Sequence, residues 1–214
     1  YPNPSQSHFR SMDVWQAGST AETLAEGWLG KALKKLPAGT QSFHLKAPSQ
    51  SSPLAFEGAP MRVPSIGSLA EFTLRTLGDS RKEIEGGASG TKKPGLLDFV
   101  SRTASATYDS SRKLGEIGKS YVPKSPYPAT PLAERLKLAA QLIDAGLGAR
   151  LFYVSIDGFD THAGQATSHA GLLAQVSGAM TAFWKDIKAR GHGDRVMMMT
   201  FSEFGRRAKE NGSK

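Results

Sequence analysis

Cysteine is missing from all 214 residues. That excludes a disulfide framework and any metal site built on thiolates. Long apolar runs are missing too: no stretch approaches the about 20 residues needed to cross a bilayer as a helix. No secretory leader pattern is visible at the first residues, Tyr1-Pro2-Asn3-Pro4. Acidic side chains are in the minority, 19 against 27 Lys and Arg, for a formal net charge of +8. The basic residues are scattered, and their densest runs (Lys31 to Lys35, Arg81-Lys82, Lys92-Lys93) are short. They read as a solvated basic surface and not as a nucleic-acid track. Hydrophobic residues make up 39% of the chain, enough for one sizeable core. The expectation is a single α/β domain over 1–214, cut at both ends, with a small extended insertion over 41–95.

What the chain does contain is concentrated in Leu151 to Gln165. The run Leu151-Phe152-Tyr153-Val154-Ser155-Ile156 is apolar, β-branched and aromatic, and it breaks into Asp157-Gly158-Phe159-Asp160-Thr161-His162. Such a run, bounded by Gly and Asp, predicts a strand buried on both faces in a parallel sheet. Residues 167–190 follow with apolar residues at helical spacing: Leu172, Leu173, Val176, Met180, Phe183, Trp184 and Ile187. A second apolar run, residues 195–201, reads as another strand whose Met197-Met198-Met199 fills the core, and it breaks into Ser202-Glu203-Phe204-Gly205-Arg206. Strand, helix, strand is a βαβ unit, so the two strands are expected to be parallel and both polar turns to emerge at one edge. Ligands of open α/β sheets sit at that edge.

The rest of the chain reads as helices at 7–15, 23–36, 68–77, 96–117 and 132–145. Short extended pieces fall between 41 and 63, and linkers at 78–95 and 118–130. Thr130-Pro131 is an N-cap followed by a first-turn proline.

Three polar groups carry candidate chemistry. Asp157, Asp160 and His162 are two carboxylates and an imidazole delivered at a strand end, a donor set suited to a divalent metal. The competing reading has Asp157 or Thr161 capping a turn and His162 as a surface residue. Glu203 is a further metal ligand and Arg206 a bidentate grip on an oxyanion, or the two form an ion pair. Ser7, beside His8 and Ser11, lies at a helix N-terminus, where the dipole favours an alkoxide; a plain N-cap is the simpler reading. His169 is read as a helix-surface residue or one supporting the site from behind.

Several stretches, in this order, resemble the bacterial DUF1501 proteins: Tyr1-Pro2-Asn3-Pro4, Ser7 to Gln16, Gly27-Trp28-Leu29-Gly30, Gly158 to His162, Ser202 to Arg206, and Asn211-Gly212. The resemblance, to an uncharacterised family related to the sulfatase and alkaline-phosphatase-like superfamily, runs from the first residue to the last. It implies an alkaline-phosphatase-like, doubly wound, mainly parallel sheet flanked by helices. It also implies twin-arginine export to the periplasm or beyond, and further Asp- and His-bearing ligand turns outside both ends of this chain. On this reading the chain is a metal-dependent hydrolase of phosphate or sulfate esters. Asp157, Asp160, His162 and Glu203 hold a divalent ion (Zn, Ca, Mg or Mn), Arg206 holds the anionic group, and Ser7 is the nucleophile. The substrate is an anionic small-molecule or polymeric ester. The alternative is a non-catalytic exported binding protein that keeps the fold.

Overall fold

A computed structural model describes residues 1, 2, 4, 7–38, 40–48, 50–68, 120–162 and 164–206. The chain divides into two compact units, one of residues 1–65 with 123–214, the other of 66–122. The helices expected at 68–77 and 96–117, and the linker at 78–95, lie outside the described residues apart from Ser68.

In the first unit, α1 (His8–Ala17) starts where Ser7 Oγ accepts the Arg10 N–H, and stops at Gly18. Gly18 adopts a left-handed φ of 60°, and its N–H closes on the Val14 carbonyl. The second helix, α2 (Trp28–Leu33), is shorter than the expected 23–36. Its start is fixed by contact with a 3₁₀ turn at Leu54–Phe56. A Cβ on Gly27 would lie 2.1 Å from the carbonyl oxygens of Leu54 and Ala55, and one on Gly30 would lie 2.1 Å from that of Glu57. Only glycine allows this approach.

Strands β1 (Gln41–Leu45), β2 (Ser65–Ile66) and β3 (Ala149–Val154) form one sheet in the order β2-β1-β3. β1 and β3 run parallel, with Phe43 opposite Phe152 and His44 opposite Tyr153. Helix α3 (Pro131–Asp144) is capped by Thr130, whose Oγ1 accepts from Ala133 N, with Pro131 in its first turn. It packs on both β1 and β3. Helix α4 (Gln165–Ala189) lies against α3.

The period-2 alternation of β3 divides the core. Leu151 and Tyr153 face Leu29, Leu33, Ala55 and Phe56. Val154 and Ile156 face Leu132, Ala133 and Ala179 of α3 and α4. Helical and turn structure thus covers both faces of the sheet in this unit, an α/β arrangement.

The strand expected over 195–201 is not there. Gly193–Arg195 form a 3₁₀ turn, and residues 196–201 are neither helix nor strand. Met197 and Met199 are 89% and 63% exposed, so the methionine run is not core. An apolar run becomes a strand only where a neighbour forms its ladder, and the sheet β2-β1-β3 ends at β3 without a ladder to this run. The amphipathic face expected along α4 is buried in its C-terminal half, at Ala179, Ala182, Phe183 and Ile187, while Leu173 is exposed.

Candidate functional site

β3 ends at Val154, and residues 155–162 continue as a loop, turned by a hydrogen bond from Thr161 N to the Phe159 carbonyl. The nearness of Asp160 and His162 therefore comes from a loop turn, not from strand alternation. His162 Nε2 stands 2.8 Å from Asp160 Oδ2. From below, buried Arg135 of α3 donates to the Ser155 carbonyl at 2.8 Å and fixes the start of the loop. From the side, His169 of α4 meets the Phe159 ring edge to face, with centroids 6.0 Å apart.

The 202–206 segment arrives at the same place without being a strand. The Phe201 ring lies edge-on to Tyr153 and Trp28, with centroids 6.1 and 6.4 Å apart. Beyond it, Glu203 Oε1 is 2.9 Å from His8 Nδ1. The other ring nitrogen of His8, Nε2, is 3.4 Å from Asp160 Oδ2. The result is an alternating row, Glu203–His8–Asp160–His162, drawn from three segments of the first unit. The Phe204 ring stands at 84° to the His8 ring, with centroids 4.9 Å apart, and holds its orientation. Arg206 ties the two loops together, donating to Thr161 Oγ1 at 3.0 Å and to the Phe159 carbonyl.

The expected site residues separate accordingly. Asp160, His162 and Glu203 belong to one connected cluster. Arg206 sits beside them and donates to the 159–161 turn. Asp157 makes another contact, its Oδ2 accepting from Gln50 Nε2 at 3.2 Å. Ser7 Oγ acts as the α1 cap, and Ser7 and His8 line an open depression of about 450 Å³ with Ser11, Trp15, Glu203 and Phe204 among its walls. His8 is the member that sequence reasoning underrated. It was visible only as the neighbour of Ser7, and its partner Glu203 is 195 positions away.

The local electrostatics are acidic. The Tyr153 hydroxyl is pushed up, first by burial and then by the negative charges of Asp157 and Glu203. Burial pulls Arg135 down from the usual guanidinium range, and Asp157 partly opposes this. Imidazoles and carboxylates are the donors that zinc or manganese takes, so the residue types fit a divalent ion. Among the described residues, however, no three His, Asp or Glu side chains already surround one point at ligand distance. The cluster as it stands is two hydrogen-bonded pairs, Glu203–His8 and Asp160–His162, joined by the 3.4 Å approach of His8 to Asp160.

A family model described as "Protein of unknown function (DUF1501)" matches residues 1–214. No curated protein and no solved structure matches the chain.

Proposed function

The chain belongs to the DUF1501 family over its whole length, and from that premise we propose a metal-dependent hydrolase of phosphate or sulfate esters centred on the His8–Asp160–His162–Glu203 cluster. The observation that carries the reading is the convergence itself: two imidazoles and two carboxylates, from segments more than 150 and 40 positions apart, form one row of successive contacts at 2.9, 3.4 and 2.8 Å. The parallel β1–β3 pair with helices on both faces supports the finer proposal of an alkaline-phosphatase-like fold.

Asp160 and His162 would hold the ion, with zinc favoured over calcium, magnesium or manganese because those harder cations prefer oxygen ligands to imidazole. A bound divalent ion would supply Lewis-acid polarisation of the ester oxygen and neutralise developing negative charge. The chain's own residues do the rest. Arg206 holds the 159–161 turn in place from a site where its exposed guanidinium can also meet an oxyanion. Ser7 Oγ, at the positive end of α1 and in the depression beside His8, is the proposed nucleophile.

The test is made on the full-length protein. His162→Ala is expected to lose bound metal and ester hydrolysis together while circular dichroism stays native. Ser7→Asn keeps a capping oxygen and is expected to lose hydrolysis but not metal. Wild-type levels of both metal and hydrolysis in His162→Ala would sink the proposal. One observation favours a second reading, a binding protein without chemistry: three ligands do not yet share a point among the described residues. That reading requires retained metal or ligand binding with no hydrolysis of any phosphate or sulfate ester.

A further inference from the structure

We propose that the depression between α1 and the 202–205 segment seats a sugar ring, so that the ester hydrolysed in the reading above is a sugar ester. The seat is drawn from its own lining and rests on that reading only for the ester group.

α1 and its cap supply one wall. Ser7, Ser11 and Trp15 follow one another at four-residue steps, which sets them on one face of the helix. At 1.5 Å per residue they span about 12 Å along its axis. A helical side chain covers the turn before its own Cα, so the Trp15 indole leans toward Ser11. Trp15 stays 47% exposed, although an indole is among the largest apolar surfaces a chain can bury. Tyr1 lines the same depression, with its Oη 3.0 Å from Ser11 Oγ. The 202–205 segment adds Ser202, Glu203 and Phe204.

The lining is therefore of two kinds, broad aromatic rings and short hydroxyl or carboxylate groups. A pyranose matches both, with C–H faces that lie flat on an aromatic ring and a rim of hydroxyls. Each serine hydroxyl donates or accepts, as a sugar hydroxyl does, and the Glu203 carboxylate accepts. Two other ligand classes fit less well. An organic cation would use the aromatic rings as a cage, but the Arg206 guanidinium already lies 5.8 Å from the Phe204 ring centroid and repels it. A wholly apolar group would take water from three hydroxyls and a carboxylate without replacing it. The anionic group of the ester, repelled by Glu203, then lies toward the Asp160 side of His8. The volume of about 450 Å³ falls within the about 300–1,000 Å³ of small-ligand sites and leaves room for the ring with its ester.

The experiment uses the full-length protein and the methyl glycosides of glucose, galactose, mannose and N-acetylglucosamine, none carrying an ester. Saturation-transfer NMR reports which ligand protons touch the protein, and titration gives the affinity. At least one glycoside is expected to bind saturably, with the strongest transfer to the C–H protons of one ring face. Trp15→Ala is expected to weaken binding about tenfold or more, and Trp15→Phe less, because a smaller ring remains. Ser11→Ala is expected to cost about threefold to tenfold, the effect of one neutral hydrogen bond. Melting temperatures near that of wild type show that these exposed-face variants fold. Three results would overturn the inference: no saturable binding of any of the four glycosides, undiminished binding in Trp15→Ala, or Trp15-dependent binding of adenosine tighter than that of every glycoside. Ester hydrolysis by wild type without glycoside binding removes this inference and leaves the hydrolase reading. Trp15-dependent glycoside binding with no hydrolysis of any phosphate or sulfate ester removes the hydrolase reading and leaves the sugar seat.

Discussion

His44 shows what one buried polar side chain does to the molecule. It sits on the central strand, 2% exposed, with Nδ1 at 3.0 Å from Ser65 Oγ and its ring edge-on to Tyr153. Burial pulls its pKa down, and the positive charges of Lys46 and Arg135 push the same way. Above the ordinary histidine value of about 6.5, folded and unfolded chains both carry neutral His44, and its titration leaves stability unchanged. Below that value the unfolded chain takes up a proton that the folded chain refuses, so stability falls with pH. Urea midpoints between pH 7.5 and 5 should therefore decline, and His44→Gln should flatten part of that decline. An identical slope in the variant would mean that His44 is not responsible. His44 was given no role from sequence, because a histidine within a short polar-flanked run gives no hint of which strand will be central. Asp160 and His162 were legible, since two ligand types after an apolar run are a local pattern. His8 was not, because its chemistry depends on Glu203, and no local pattern links residues so far apart.

At the scale of elements, the helices were readable where their ends are chemically marked. Ser7 and Gly18 bound α1, and Thr130-Pro131 opens α3. The segment 195–201 was misread because composition states only that a strand would be stable if paired. The structure ends the sheet at β3 and forms no ladder with this segment. The joint between α4 and the linker before α3 rests on one buried acid. Asp186 is fully buried and accepts from Lys124 N at 2.8 Å, Tyr127 Oη at 3.1 Å and Arg190 Nε at 3.0 Å. Arg190 also pairs with Asp144, which binds His192 in turn. Asp186→Ala takes an acceptor from the Arg190 guanidinium, which Asp144 still pairs, and from the Lys124 N–H, a loss of about 2–3 kcal/mol. Tyr127→Phe, which removes a single neutral donor, should cost about 1 kcal/mol. Chemical denaturation checks both, and equal effects of the two variants would mean that the charge network is not what holds the joint.

Across the whole molecule, the α/β class was legible from an apolar run flanked by amphipathic helices, although the run expected to be buried on both faces is only partly buried as β3. The edge at which the polar turns meet was also anticipated, but by a route the structure does not use. Two loops and a helix start make the convergence: the 155–162 loop leaves β3, the 202–206 segment is anchored through Phe201, and α1 presents His8 between them. The central claim is that this meeting point is a metal site. Anomalous diffraction at the zinc edge, from crystals of the full-length protein grown with zinc, tests it most directly. The account expects a peak within about 2.0–2.2 Å of a carboxylate oxygen of Asp160 and of a ring nitrogen of His162. A map with no peak there at saturating zinc, and with the four side chains still in their row of contacts, would contradict it.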